Sequence, residues 1–116
     1  MKAGYLKEDH GMEPVVSKDK TDATIQLVID PALTVKAEGG YRIEVANNKI
    51  VLTAKDNLGI FYGSQTVRQL ITLQGNLFVV REVSISDYPV FSWRSVMLDE
   101  ARYFKGKEVV KPLLDE

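Results

Sequence analysis

Apolar positions along the chain follow two periods. In YRIEVANNKIVLTA, Tyr41, Ile43 and Val45 alternate with Arg42 and Glu44, and Ile50, Leu52 and Ala54 alternate with Val51 and Thr53. Alternation of this kind predicts two half-buried strands. Between them stands Asn47-Asn48, and asparagine tolerates the positive φ that a two-residue hairpin loop requires. With that loop, Val45 faces Ile50, Ile43 faces Leu52 and Tyr41 faces Ala54, so both apolar rows share one face of the hairpin. That face needs a partner.

The partner is expected in DNLGIFYGSQTVRQLI, where Ile60, Gly63, Val67, Leu70 and Ile71 recur at three- and four-residue spacings behind a capping Asp56 or Asn57. Gly59 and Gly63 each cost about 1 kcal/mol inside a helix, and in return let its backbone lie close on a sheet. Phe61 and Tyr62 on this helix read as core. Thr24 to Asp30 predicts a strand with Ile25, Leu27 and Ile29 on one side, ended by Pro31, and LFVVREVSI predicts another with Val79, Val83 and Ile85 on one side. The order is strand, hairpin, helix, strand. It predicts an α+β fold in which a helix packs on one face of a small, antiparallel-rich sheet. Beyond Pro89, Arg94 to Asp99 reads as a short buried strand. A helix is expected over Lys107 to Glu116, with Val109, Val110, Leu113 and Leu114 as its apolar face; Pro112 makes it short, kinked, or delayed to Lys111. Residues 1–23 are polar and unpatterned apart from Val15-Val16, and read as a leader.

Composition excludes more than it assigns. The 116 residues make one small domain on length, with 45% hydrophobic and 27% charged residues. A formal charge of -1 and the lack of a basic stripe give no case for nucleic acid. No run approaches the roughly 18 apolar residues of a membrane span, and the N-terminus has no apolar signal core. Without cysteine, thiol catalysis and thiolate metal sites are excluded, and with His10 alone no site needing two imidazoles exists. No metal or cofactor is expected. The glycines match neither the dinucleotide fingerprint nor the phosphate loop. The adjacent Asp99 and Glu100 look like an acid/base pair. On a strand, however, neighbours point to opposite faces, so they are not expected to serve one reacting centre. Asp22 and Thr24 have no assignable partner. Arg94, at the start of its apolar run, reads as a surface ion-pairing residue or a ligand contact.

Two motifs add a resemblance. GIFYGSQTVRQL, followed by VSISDYPVFSWRSVMLDEARYF, resembles glycoside hydrolase family 20, the β-N-acetylhexosaminidases. The family run is glycine-x-phenylalanine-tyrosine-glycine-x-glutamine-threonine, then aspartate-tyrosine-proline, then arginine-glycine before an apolar strand that ends in aspartate. The resemblance covers roughly residues 24 to 114. It implies an accessory zincin-like α+β domain over 24–88 and, over 89–116, the first strand and helix of a (β/α)8 catalytic barrel. It also implies that Arg94 hydrogen-bonds hydroxyls of the bound N-acetylhexosamine and that Asp99 supports it. The catalytic aspartate-glutamate pair is expected on a later strand outside this chain, in a substrate-assisted retaining mechanism. This chain is then an inactive N-terminal fragment. Its parent is expected to be secreted, periplasmic or lysosome-like, and its partner a glycan ending in N-acetylhexosamine. Ser95, Glu100, Tyr103 and Pro112 depart from the family pattern. Two rival readings stay open: a free-standing binding or scaffold module, and the accessory domain of another N-acetylhexosaminidase or glucuronidase family. Apolar residues 96–98 and 109–114 are expected to fold back, to be mobile, or to self-associate with another copy.

Overall fold

The computed structural model describes residue 11 and residues 23–99, 101–103 and 106–115. Most of residues 1–23, including His10 and Asp22, lies outside the described residues, as do Glu100 and the side chains of Leu113 and Leu114. Among the described residues, six strands and two helices follow in the order β1 (Ile25–Ile29), β2 (Tyr41–Ala46), β3 (Lys49–Ala54), α1 (Asn57–Leu70), β4 (Thr72–Gln74), β5 (Leu77–Val79), β6 (Val83–Asp87) and α2 (Lys107–Asp115).

The hairpin β2–β3 is the organising unit. Asn47 and Asn48 have φ of 50° and 59°, the left-handed pair a tight hairpin turn needs. Tyr41 pairs with Ala54, Ile43 with Leu52 and Val45 with Ile50, the register set by the loop. β1 adds to the far side of β3 in parallel, bringing Ile25, Leu27 and Ile29 opposite Ile50, Leu52 and Ala54. β6 adds antiparallel to β2, with Val83 opposite Val45 and Ile85 opposite Ile43. The result is a mixed four-stranded sheet in the order β1-β3-β2-β6.

Helix α1 crosses this apolar face. Asp56 caps it, with Oδ1 accepting from Gly59 N–H at 2.7 Å and Oδ2 from Gly39 N–H at 3.3 Å. A Cβ at Gly59 would lie 2.6 Å from Gly40 O, and one at Gly63 would overlap Leu52 Cδ1. The helix therefore meets the backbone just before β2 at Gly59, and the Leu52 and Tyr41 side chains of the hairpin at Gly63. The core beneath is Tyr41, Ile43, Val45, Ile50, Leu52, Ala54, Val67 and Ile71. Ile43, Leu52 and Val67 are fully enclosed, each contributing about 1.5–3 kcal/mol through burial. Ser64, also buried, donates its hydroxyl to Ile60 O at 2.6 Å. The helix covers chiefly β3 and β2, leaving Leu27 and Ile29 at the β1 edge partly exposed.

Three expectations need correction. The run LFVVREVSI is two strands. Gly75 adopts a left-handed φ of 62°, so residues 77–79 fold back on 72–74 as a separate hairpin, and only 83–87 rejoin the sheet. Arg94 to Asp99 is neither strand nor buried: Trp93 is 80%, Val96 81% and Met97 94% exposed. An isolated segment has no ladder to satisfy its backbone, and Pro89 lacks the N–H that would extend β6. Phe61 is 52% exposed, because it points off the side of α1 that faces the sheet, whereas Tyr62 packs against the core. The helix expected from Lys107 is observed as α2, which keeps Pro112 within its nine residues. Gly106, with φ of 85°, precedes it and accepts from Val109 N–H at 3.2 Å.

Candidate functional site at the exit from the sheet

The residues singled out from sequence lie where the chain leaves β6. This exit is built on a buried phenol. Tyr41 begins β2, and its alternation places it under α1, where its hydroxyl meets Thr66 Oγ1 at 2.6 Å and donates to Asp87 Oδ2 at 3.1 Å. Burial pushes the Tyr41 pKa above its ordinary value of 10.0; the Thr66 hydrogen bond opposes this, while the hydrogen bond to Asp87 and its negative charge add to it. The other oxygen of Asp87 accepts from Tyr88 N–H at 2.8 Å. One carboxylate thus ties β2 to the first peptide after β6 and so sets the direction of the exit.

Beyond the clasp, two cations sit over aromatic rings. Lys36 Nζ lies 5.4 Å from the centroid of Tyr88, and the Arg94 guanidinium carbon lies 5.8 Å from that of Tyr62, both within the distance of cation–π attraction. Tyr62 in turn packs edge-to-face with Phe61, centroids 5.6 Å apart. Its ring fills the space left by Gly39, where a Cβ would come within 3.0 Å of two ring carbons.

Arg94 is therefore brought to the helix of the α+β domain, and Asp99 is not brought to Arg94. Asp99 Oδ1 accepts from Ala101 N–H at 2.9 Å, and Oδ2 lies 3.9 Å from Arg102 Nε on an exposed turn. Among the described residues no three His, Asp or Glu side chains converge to hold a metal ion, and no helix is long and apolar enough to cross a membrane. Arg94 is chemically apt for a polyol: its planar fork of N–H donors matches pairs of neighbouring hydroxyls. The Tyr41–Thr66–Asp87 clasp went unnoticed in sequence because its members are 25 and 46 residues apart. The only signal for it was the Asp87-Tyr88-Pro89 motif.

An α+β domain that delivers an arginine from its sheet edge is the class of unit these features define. The chain belongs to glycoside hydrolase family 20: residues 2–88 match the model of glycosyl hydrolase family 20, domain 2. It is 36% identical to a β-hexosaminidase of Vibrio furnissii over 98 residues, 84% of this chain and 16% of that protein. It is also 36% identical over 78 residues to the N,N′-diacetylchitobiase of Vibrio harveyi, 67% of this chain and 9% of that protein. Among solved structures, the family 20 exo-β-N-acetylglucosaminidase of Vibrio harveyi in complex with N-acetylglucosamine superposes with a TM-score of 0.80 at 28% identity, over 97% of this chain and 17% of that one. The chain spans about a sixth or less of the length of these relatives. Its fold is the α+β domain of family 20 hexosaminidases.

Proposed function

We propose that this chain is the accessory domain, over 24–88, and the entry to the catalytic barrel, over 89–116, of a β-N-acetylhexosaminidase. The whole enzyme removes terminal β-linked N-acetylglucosamine or N-acetylgalactosamine. The observation that carries this reading is the family match over the domain, joined to a clasped exit at Asp87 that leads directly to Arg94. In this reading Arg94 meets the hydroxyls of the terminal sugar, and Asp99 supports the same strand once the barrel surrounds it. The chemistry is substrate-assisted. The acetamido oxygen of the sugar bonds to the anomeric carbon as the glycosidic C–O bond breaks, and a glutamic acid outside this chain protonates the leaving oxygen. Water then opens the cyclic intermediate with retention.

The chain itself holds the position of the first barrel strand but does not catalyse. An assay of the 116-residue chain on an aryl N-acetylglucosaminide is expected to show no turnover, while the longer enzyme hydrolyses it. Turnover by the chain alone overturns the proposal. So does a longer enzyme that rejects N-acetylhexosaminides.

A further inference from the structure

Arg94 is held by the α+β domain before any barrel surrounds it. Its guanidinium carbon sits 5.8 Å from the Tyr62 centroid. A π face attracts the charge of a guanidinium without accepting all its N–H groups, and among the described residues those groups meet no carboxylate. The Tyr62 ring is itself fixed. It lies nearly two helical turns past the Asp56 cap, edge-to-face with Phe61, in the slot left open by Gly39. Gly39 has a left-handed φ of 73°, and its N–H is bound by the same Asp56 that starts the helix. Cap, turn and ring form one rigid bracket.

We propose that Tyr62 is a positioning residue for Arg94. Its ring fixes the guanidinium by charge–quadrupole attraction and leaves the N–H fork free for neighbouring sugar hydroxyls. The α+β domain then contributes to substrate binding through one aromatic ring, although it touches no substrate. This inference rests on the assignment of Arg94 as a sugar contact.

Two measurements separate the inference from that assignment. In the 116-residue chain, the Arg94 Nε–Hε resonance, identified by its loss in Arg94→Lys, is expected upfield of the other arginines through the Tyr62 ring current. It should remain so in Tyr62→Phe and return to the common position in Tyr62→Leu, which keeps an apolar side chain against the core. An unshifted Arg94 resonance in the unsubstituted chain overturns the proposal whatever the variants do. In the longer enzyme, Tyr62→Leu is expected to raise KM for an aryl N-acetylglucosaminide about two- to fivefold with kcat unchanged. Tyr62→Phe, which restores the ring, should recover most of that loss. If Arg94→Ala raises KM and Tyr62→Leu does not, Tyr62 has no positioning role and the Arg94 assignment stands. If Arg94→Ala leaves KM unchanged, the assignment itself fails and the inference falls with it.

Discussion

Tyr41 shows how one residue joins stability to the direction of the exit. Its ring is core and its hydroxyl is the clasp on Asp87. Because its folded pKa lies above the ordinary 10.0, the folded state keeps the phenolic proton longer than the unfolded chain does. The contribution is fully present below pH 10 and is lost as pH rises through the folded value. Tyr41→Phe is therefore expected to lower the urea midpoint at pH 7, at a cost of about 1 kcal/mol for the lost hydrogen bonds. It should also flatten the decline in stability of the unsubstituted chain above pH 10; an equally steep decline in the variant counts against this account. Gly59 makes the opposite point, that a missing side chain is a contact. Alanine there gains about 1 kcal/mol of helix propensity. Its Cβ, however, meets Gly40 O at 2.6 Å and Ala54 Cβ at 2.8 Å; Gly40 donates its N–H to Ala37 O, and Ala54 belongs to β3. Overpacking of about 1–3 kcal/mol wins. Urea unfolding of Gly59→Ala should show net destabilisation, and a variant more stable than the unsubstituted chain would contradict the close approach.

At the scale of elements, α1 depends on its cap more than its length suggests. Asp56 satisfies a helix N–H and also holds Gly39, so it secures two elements with one carboxylate. Asp56→Ala is expected to cost about 1–2 kcal/mol, the upper part of the range for lost caps, while Asp56→Asn recovers most of it. Thermal unfolding followed by circular dichroism distinguishes them. The cap and the hairpin were both legible in the sequence because each is local: Asp56 reaches three residues along the chain, and Asn47-Asn48 fixes its register by turn geometry alone. The failure at residues 77–85 has the same origin. Alternation reports which residues share a face, but it does not say where one strand ends and the next begins. A left-handed Gly75 made that decision.

Across the whole molecule, the buried hydrophobic core of the described residues lies between Tyr41 and Ile71, while Val90, Phe91, Trp93, Val96 and Met97 are exposed. Such a stretch favours pairing with another copy. The 116-residue chain is expected to associate as its concentration rises. Val96→Lys with Met97→Glu should suppress this in sedimentation velocity while leaving the unfolding temperature unchanged, since neither side chain belongs to the core. Association that persists in the double variant moves the contact elsewhere, for example to the half-covered edge of β1.

The α+β class, the hairpin register, the helix with its cap narrowed to Asp56 or Asn57, and the two glycines that set helix and sheet together were all legible in the sequence. All of these rest on period, turn chemistry and steric size, which act over a few residues. The weight on Arg94 came from sequence too, though only through family resemblance, since an arginine before an apolar run has no single meaning. Tertiary structure decided the parallel seat of β1 against β3, the place of β6 beside β2, the Tyr41–Thr66–Asp87 clasp and the approach of Arg94 to Tyr62. Each of these joins residues more than twenty positions apart. Only packing selects such pairs, because no local preference distinguishes them from the many others the chain could form.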